Sequence, residues 1–123
     1  WTSISLTNAL AIAYGGTGAK NAAAARTNLG ISATSLYNGT LTSGSITFNY
    51  GNYNFYVIIG RPSSTASRAS LVVPKIMLTT SAVSFQIADE SNYKSFNLSY
   101  SGSLVTLAIQ GGNGQINRVF GIN

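Results

Sequence analysis

The chain has 123 residues, which is enough for one ordinary domain and a short appendage. Hydrophobic residues make up 45 % of it and charged residues only 7 %, a balance that predicts a folded chain and excludes an intrinsically disordered one. It has no cysteine and no apolar run near the roughly 18 residues of a membrane span, so we expect no disulfide, no thiolate metal site and no membrane insertion.

The net charge of +5 comes from basic residues that are spread along the chain. Nucleic-acid binding usually needs clustered cations, whereas here no two basic residues are adjacent, so we expect no nucleic-acid partner. Attraction to an anionic glycan on a cell surface stays open. The basic residues are Lys20, Arg26, Arg61, Arg68, Lys75, Lys94 and Arg118.

The chain starts at Trp1 without a signal-like segment, and we expect it to be a fragment of a longer protein. Apolar residues alternate with smaller or polar ones at positions 4 and 6 and again at positions 10 and 12, which is typical of short strands. Residues 15–18, with the sequence GGTG, predict a turn because glycine loses the most backbone entropy in regular structure.

Residues 19–29 are predicted to form a helix, because alanine has the highest helix propensity and four alanines follow one another there. Thr17 is the expected N-cap. Gly30 stands where a left-handed residue ends many helices, and Ile31 is expected to supply the hydrophobic contact that accompanies such an end.

This helix is too short to be stable alone, since isolated helices become marginal only at ~12–15 residues. Its apolar surface consists mostly of methyl groups, and small side chains such as Ala22 and Ala25 allow identical helices to approach closely. Apolar burial would then come from neighbouring chains. We therefore expect the N-terminal third to fold as an oligomer around an axis, and the alternative is a flexible linker.

Residues 36–123 alternate between apolar and polar side chains in short runs separated by turn residues, a pattern typical of half-buried strands. The continuous apolar run at 55–59 predicts a strand covered on both faces, and Pro74 predicts a bent or edge strand because proline has no N–H to donate. Seven or eight strands at this spacing favour a mainly β fold, an antiparallel β-sandwich or a small barrel. The expected strands lie at residues 46–50, 55–59, 71–78, 83–87, 96–100, 104–109 and 116–122, with 36–41 as the eighth.

The reactive side chains argue against an enzyme, and we expect no catalytic residue, no metal site and no cofactor. The chain has no histidine, and its only acidic residues are Asp89 and Glu90. Neighbours on a strand point to opposite faces, so on a strand of one chain these carboxylates cannot flank a glycosidic bond. In a turn they would be nearer to each other, and copies from other subunits are a further alternative, but we expect solvated turn acids. A Ser–Lys dyad is not excluded by counting, but no motif supports one, and two acids are too few for a calcium cage.

The GGTGAK run at residues 15–20 has the glycines of a phosphate-binding loop but not its pattern. A P-loop needs Gly-Lys followed by a hydroxyl residue, whereas Lys20 follows Ala19 and precedes Asn21. The third glycine of the dinucleotide-binding fingerprint is also missing. We therefore expect a structural turn here.

The sequence GGTGAKNAAAARTNLGI at residues 15–31 resembles, without insertion or gap, the linker that recurs in tail-fibre proteins of tailed bacteriophages. It departs from the family at Tyr14, where arginine is frequent, and at Lys20-Asn21, where a threonine pair is usual. Residues 36–39 and 116–121 are similar, far less specifically, to the ends of small distal domains in such fibres. The linker positions expected to make trimer contacts are Gly15, Gly16, Gly18, Ala22, Ala25 and Leu29.

The resemblance implies a homotrimer, a junction between a fibre shaft and a head, and a C-terminal head that touches the host surface. It also implies an extracellular location, in the tail fibre of a virion. We accordingly expect a β-structured shaft end with a helical linker at residues 1–35 and a β-sandwich head at residues 36–123. The host partner would be a surface polysaccharide such as lipopolysaccharide, or an outer-membrane protein.

The alternation of strand direction predicts where a receptor would bind. If residues 36–41 form a strand and each connection reverses direction, the turns at 61–70, 89–92 and 111–115 share the end of the sandwich far from the shaft. Their amide, aromatic and guanidinium groups suit glycans or phosphorylated polysaccharide. The expected receptor-binding residues are Arg61, Arg68, Asn92, Tyr93, Lys94 and Asn113. If residues 36–41 are not a strand, this role passes to Tyr50, Asn52 and Tyr53.

These observations leave two main classes of function. The first is a binding module, the receptor-recognising tip of a tail fibre. The second is a structural module that only trimerises and terminates the fibre, with recognition elsewhere. A more distant third is the non-catalytic end of a glycan-degrading spike.

Overall fold

A computed structural model describes residues 10–11 and 15–123 of the chain. The chain divides into two compact units, Trp1–Ser32 and Ala33–Asn123. The second unit begins at Ala33 and not at residue 36, because its first strand starts there. The alternating apolar positions 4, 6 and 12 lie outside the described residues.

The helix of the first unit, α1, spans Ala22–Asn28, so it begins later than the predicted start at residue 19. Its N-cap is Asn21 and not Thr17, because Asn21 is extended and its side-chain oxygen accepts a 2.8 Å hydrogen bond from the N–H of Ala24. The Thr17 carbonyl instead accepts a 2.9 Å hydrogen bond from the side-chain amide of Asn28, which ties the glycine turn to the end of the helix.

The left-handed residue predicted at the end of α1 is confirmed, whereas Ile31, which was expected to supply a hydrophobic contact there, is 51 % exposed. Gly30 has a φ of 75°, and the N–H groups of Gly30 and Ile31 donate to the carbonyls of Thr27 and Arg26 at 3.0 and 2.8 Å. This pair of bonds closes a helix through a left-handed residue. No residue of α1 is buried, and the neighbouring Leu29 is 52 % exposed.

The second unit is built from eight strands joined by short connections. Their alternating burial follows the alternation in the sequence, because successive side chains of a strand point to opposite faces. A 3-10 turn at Lys75–Met77 follows the fourth strand. The strands are β1 (Ala33–Leu41), β2 (Ser45–Asn49), β3 (Phe55–Arg61), β4 (Ala69–Pro74), β5 (Val83–Ala88), β6 (Tyr93–Ser101), β7 (Leu104–Gly111) and β8 (Gln115–Ile122).

The strands form two four-stranded sheets in which every pairing is antiparallel. Sheet 1 has the order β1-β8-β3-β4, and sheet 2 has the order β2-β7-β6-β5. The chain is therefore mainly β, with the antiparallel two-sheet arrangement that the sequence predicts, and residues 36–41 do belong to a strand.

The core lies between the two sheets and is formed by their inward-facing apolar side chains. It also contains one phenol: the Tyr56 hydroxyl donates a 2.6 Å hydrogen bond to the Tyr50 carbonyl. Burial is the main cause that raises the pKa of Tyr56 to about 12. The buried apolar residues are Phe48, Tyr56, Ile58, Val73, Leu78, Ile87, Phe96, Leu98, Val105, Leu107, Ile116 and Val119.

Pro74 ends a strand instead of bending one. The predicted strand at 71–78 stops at Pro74, and β4 is an edge strand of sheet 1. The backbone then turns through Lys75–Met77, which leaves Ile76 90 % exposed.

The apolar run at 55–59 is covered on one face only within a single chain. Tyr56 and Ile58 are fully buried in the core, whereas Phe55, Val57 and Ile59 are only half-buried on the outer face of sheet 1. The prediction of cover on both faces is therefore not met by this chain alone.

Candidate functional site

The alternating strand directions bring four connections to one end of the sandwich. We call this the loop end; it consists of residues 42–44, 62–68, 89–92 and 112–114. Residues 50–54, 75–82 and 102–103 lie at the opposite end, where β1 begins and β8 finishes. Residues 36–41 are a strand, which was the condition for placing the receptor site in the turns at 61–70, 89–92 and 111–115. The alternative residues Tyr50, Asn52 and Tyr53 lie at the opposite end.

Lys94 lies inside the loop end and is only 2 % exposed. Its ammonium donates hydrogen bonds to the carbonyl oxygens of Thr42 and Gly112, at 2.9 and 2.7 Å, and so joins β6 to two separate connections. Desolvation lowers the pKa of this ammonium, because burial disfavours its charged form. Lys94 was predicted to contact the receptor. Its buried position instead allows it to hold together the two connections to which it is hydrogen-bonded.

The turn between β5 and β6 is ordered by its own acidic residue. Oδ1 of Asp89 accepts hydrogen bonds from the N–H groups of Ser91 and Asn92, at 2.9 and 2.8 Å. These two bonds, that from Ser91 first, lower the pKa of the Asp89 carboxyl. The Asp89 carboxylate thus stabilises this turn by accepting hydrogen bonds from two backbone N–H groups.

Asn92 and Asn113 form a pair of amides across two connections. The Asn113 side-chain nitrogen donates a 2.7 Å hydrogen bond to Oδ1 of Asn92. The neighbouring Tyr93 is 42 % exposed, and its carbonyl accepts a 3.0 Å hydrogen bond from the N–H of Gly114. The predicted residues Asn92, Tyr93 and Asn113 are therefore adjacent.

Gly112 has a φ of 92°, and a Cβ there would collide with the Tyr93 carbonyl. Gly114 is equally confined, because a Cβ there would meet the carbonyls of Arg61 and Pro62. These glycines let the connection at 112–114 lie directly against both β6 and the end of β3.

Arg61 and Arg68 lie at the two ends of the connection 62–68. Arg61 is half-buried, and its guanidinium donates a 3.1 Å hydrogen bond to the Ser64 carbonyl, while its buried Nε has no acceptor among the described residues. Arg68 is exposed and directly precedes β4. All six predicted receptor residues thus lie in the loop end or at the adjoining ends of β3 and β6, but Lys94 faces inward and Arg61 is partly engaged.

Sequence reasoning missed Asn117, which is buried at a break in the β3–β8 register. Its side-chain nitrogen donates to Oε1 of Gln115 at 2.7 Å and to the Gly39 carbonyl at 3.4 Å. The polar residue between Ile116 and Arg118 gave no local signal, because the bulge depends on pairing with distant strands.

The opposite end carries an aromatic cluster that the sequence did not reveal. The rings of Tyr50 and Tyr100 stack at 4.7 Å, and the Lys75 ammonium lies 3.9 Å from the centre of the Tyr50 ring. The same ammonium donates to the Gly51 carbonyl. The Tyr50 ring therefore packs against Tyr100 and Lys75 of the same chain.

The predicted linker residues lie partly in the glycine turn and partly in or next to α1, and their trimer contacts stay a prediction. Gly15 and Gly18 have φ values of 87° and 69°, and the N–H of Gly16 donates a 3.0 Å hydrogen bond to the Ala11 carbonyl. Ala22 and Leu29 are exposed, and Ala25 is half-buried. The glycines thus shape the turn, while the helix positions stay accessible.

Among residues 10–11 and 15–123, no group of three or more side chains has the composition of a metal site. No helix in that part of the chain is long and apolar enough to cross a membrane.

Known proteins give no guide to the role of the loop end. Comparison with family models, with curated proteins and with solved structures returns no match to this chain. What the chain does must therefore be argued from its own residues.

Proposed function

We propose that this chain is the distal end of a bacteriophage tail fibre, and that its loop end attaches the virion to a receptor on the host cell surface. The observation that carries the proposal is the grouping of Arg68, Asn92, Tyr93 and Asn113 at the end of the sandwich opposite the start of β1. The chain enters the sandwich at Ala33, at the end opposite these residues. The linker resemblance at residues 15–31 supplies the fibre context.

The exposed groups at the loop end fit a polar, partly anionic ligand. The ring of Tyr93 offers an apolar surface of the kind on which sugar rings stack, and the Asn92–Asn113 pair offers amide donors and acceptors. The exposed guanidinium of Arg68 can bind a carboxylate or phosphate through two parallel hydrogen bonds. A surface polysaccharide such as lipopolysaccharide carries these groups, and an exposed loop of an outer-membrane protein is the other receptor class.

The loop end is ordered before any ligand binds. Lys94, Asp89 and Gly112 tie its connections together through hydrogen bonds and close backbone packing. Loops that are already fixed lose less conformational entropy on binding, which favours affinity.

The proposed assembly is a homotrimer located on the virion, outside the cell. Helix α1 buries none of its own residues, and a helix of this length is unstable alone. Packing of Ala22, Ala25 and Leu29 against identical helices would supply the missing burial. The same exposed helix also supports the alternative function, a structural module that trimerises and ends the fibre while recognition lies elsewhere.

Competition for host cells tests the proposal. Purified chain added to susceptible cells should reduce adsorption of virions that carry this fibre, in a saturable manner. A trimer that binds no cells would contradict receptor attachment and support the structural alternative. Loss of surface polysaccharide during incubation would instead point to the glycan-degrading spike.

A further inference from the structure

Sheet 1 carries a continuous band of apolar side chains on its outer face. Val57 of β3 lies opposite Val72 of β4 on one side and Phe120 of β8 on the other. All three alternate with core residues and therefore point away from the core. We call this band the apolar face; it consists of Phe55, Val57, Ile59, Val72, Phe120 and Ile122.

The outer face of sheet 2 has the opposite character. Its central rows pair Thr47 with Thr106 and Thr106 with Ser99, and Asn97 lies between Ala108 and Ser84. These small polar side chains are typical of a sheet with one solvated face. The band on sheet 1 breaks that pattern, and Val72 within it is 57 % exposed. The other five residues of the apolar face are half-buried. A contiguous apolar band that is left partly exposed is typical of an interaction surface.

We propose that a second copy of this chain covers the apolar face, with its β5–β6 turn placed beside Arg118. The inference rests on the homo-oligomer proposed above and assigns its head interface. The arrangement is heterologous, so each copy uses its apolar face toward one neighbour and its β5–β6 turn toward the other, which closes a ring.

Charge is the first argument for a second copy as the occupant. Arg118 lies on the apolar face, opposite Ile59, with its guanidinium carbon 4.5 Å from the centre of the Phe120 ring. Its Nε is buried and has no acceptor among the described residues. The terminal nitrogens of this guanidinium are not buried and have no hydrogen-bond partner among the described residues, so a carboxylate from outside the chain can pair with them.

The chain itself offers that carboxylate at one place only. Asp89 and Glu90 are its two acidic residues, and both are exposed in the β5–β6 turn. Asp89 is engaged in its turn, whereas Glu90 has no partner in the described part of the chain. β5 is the edge strand of sheet 2, so a neighbouring copy can approach this turn from the side.

The position of these groups along the strands selects the symmetry. Arg118 is paired with Ile59 of β3, which ends at Arg61, so Arg118 lies near the loop end. Glu90 belongs to the loop end as well. Rotation about an axis parallel to the strands keeps every group at its height, so Glu90 of one copy lies at about the same level as Arg118 of the next and can pair with it. With a two-fold axis perpendicular to the strands, Arg118 of one copy would lie toward the opposite end of its neighbour. That end carries neither acidic residue.

Substitution on the two outer faces tests whether the apolar face is covered. Val72→Lys and Thr47→Lys each add one cation at an exposed outward position on an edge strand, the first on sheet 1 and the second on sheet 2. Sedimentation of the full chain should show at least tenfold weaker self-association for Val72→Lys and no change for Thr47→Lys. Unchanged association of Val72→Lys would overturn the proposal while leaving the oligomer of the proposed function intact. A wild-type chain that is monomeric at every concentration would overturn both.

Cross-linking tests the pairing of Glu90 with Arg118 directly. The chain has no cysteine, so Glu90→Cys and Arg118→Cys can be introduced in separate chains that are mixed and oxidised. Cross-linked heterodimers on a non-reducing gel are expected. The matched control is Asn52→Cys mixed with Arg118→Cys, which should give none because Asn52 lies at the opposite end. Equal yields from both mixtures, or none from the first, would overturn the heterologous arrangement.

Discussion

The ammonium of Lys94 lies 2.7 Å from the carbonyl oxygen of Gly112 and links strand β6 to the connection between β7 and β8. A second bond to the Thr42 carbonyl, at 2.9 Å, extends the link to the connection between β1 and β2. One buried side chain therefore determines how the loops of the proposed attachment site lie relative to one another.

Replacing Lys94 by methionine should destabilise the sandwich. Two carbonyls at the loop end lose their donor, and we expect a loss of about 1–3 kcal/mol in the free energy of unfolding. Urea denaturation measures the change. Lys20→Met, at an exposed position, is the control and should stay within about 0.5 kcal/mol of the wild type.

The Lys94 ammonium should also make stability rise with pH in the alkaline range. Desolvation lowers its pKa below the usual 10.5, so the unfolded chain binds more protons between the folded-state value and 10.5. The free energy of unfolding should therefore increase with pH through that window. Comparison with Lys94→Met isolates this contribution, because the variant lacks it; identical pH slopes would contradict the prediction.

Tyr56 should have the opposite effect at higher pH. Its pKa is raised from 10.0 to about 12, so the unfolded chain loses this proton first and stability falls as pH rises from 10 to 12. We expect a loss of about 2–3 kcal/mol, since the pKa rises from 10.0 to about 12 and one pKa unit corresponds to about 1.4 kcal/mol. Tyr56→Phe should be less stable at neutral pH by about 1 kcal/mol, for the lost hydrogen bond, but should lack this alkaline decline.

Gly112→Ala should cost more than an ordinary glycine replacement. A methyl group there would collide with the Tyr93 carbonyl, in addition to the strain of a positive φ. Gly102 also has a positive φ, 60°, but with open space around it, so Gly102→Ala reports the strain of a left-handed backbone without a collision. Thermal unfolding should show a loss of about 1–2 kcal/mol for Gly102→Ala and at least about 1 kcal/mol more for Gly112→Ala.

The exposed residues of the loop end should matter for adsorption and not for stability. Arg68→Ala and Tyr93→Ala remove side chains that are exposed at the proposed attachment site, so each should weaken competition with virions by about five- to tenfold. Asn52→Ala, at the opposite end, is the control and should compete like the wild type. Equal competition by all three variants, with unchanged melting temperatures, would falsify the assignment of these two residues.

Part of this site was within reach of sequence reasoning. Lys94 stands two residues before Phe96 and four before Leu98, so the alternation that puts those two in the core also puts Lys94 inward. The turn pattern placed Asn92 and Asn113 at one end, but their hydrogen bond depends on the separate paths of two connections. The cap of α1 was assigned to Thr17 from residue type alone, whereas backbone conformation favours Asn21.

The sequence by itself determined the local features: the strand periodicity, the turns between strands, the left-handed Gly30, and from these the end of the sandwich to which each connection belongs. Each of these depends on a few neighbouring residues and on rules that hold before the chain folds. Only the tertiary structure decided the order of strands in the sheets, the bonds of Lys94, the contact of Lys75 with Tyr50 and the apolar outer face of sheet 1. Those features join residues far apart in the chain, and their geometry is fixed by how the two sheets pack, which no local pattern specifies.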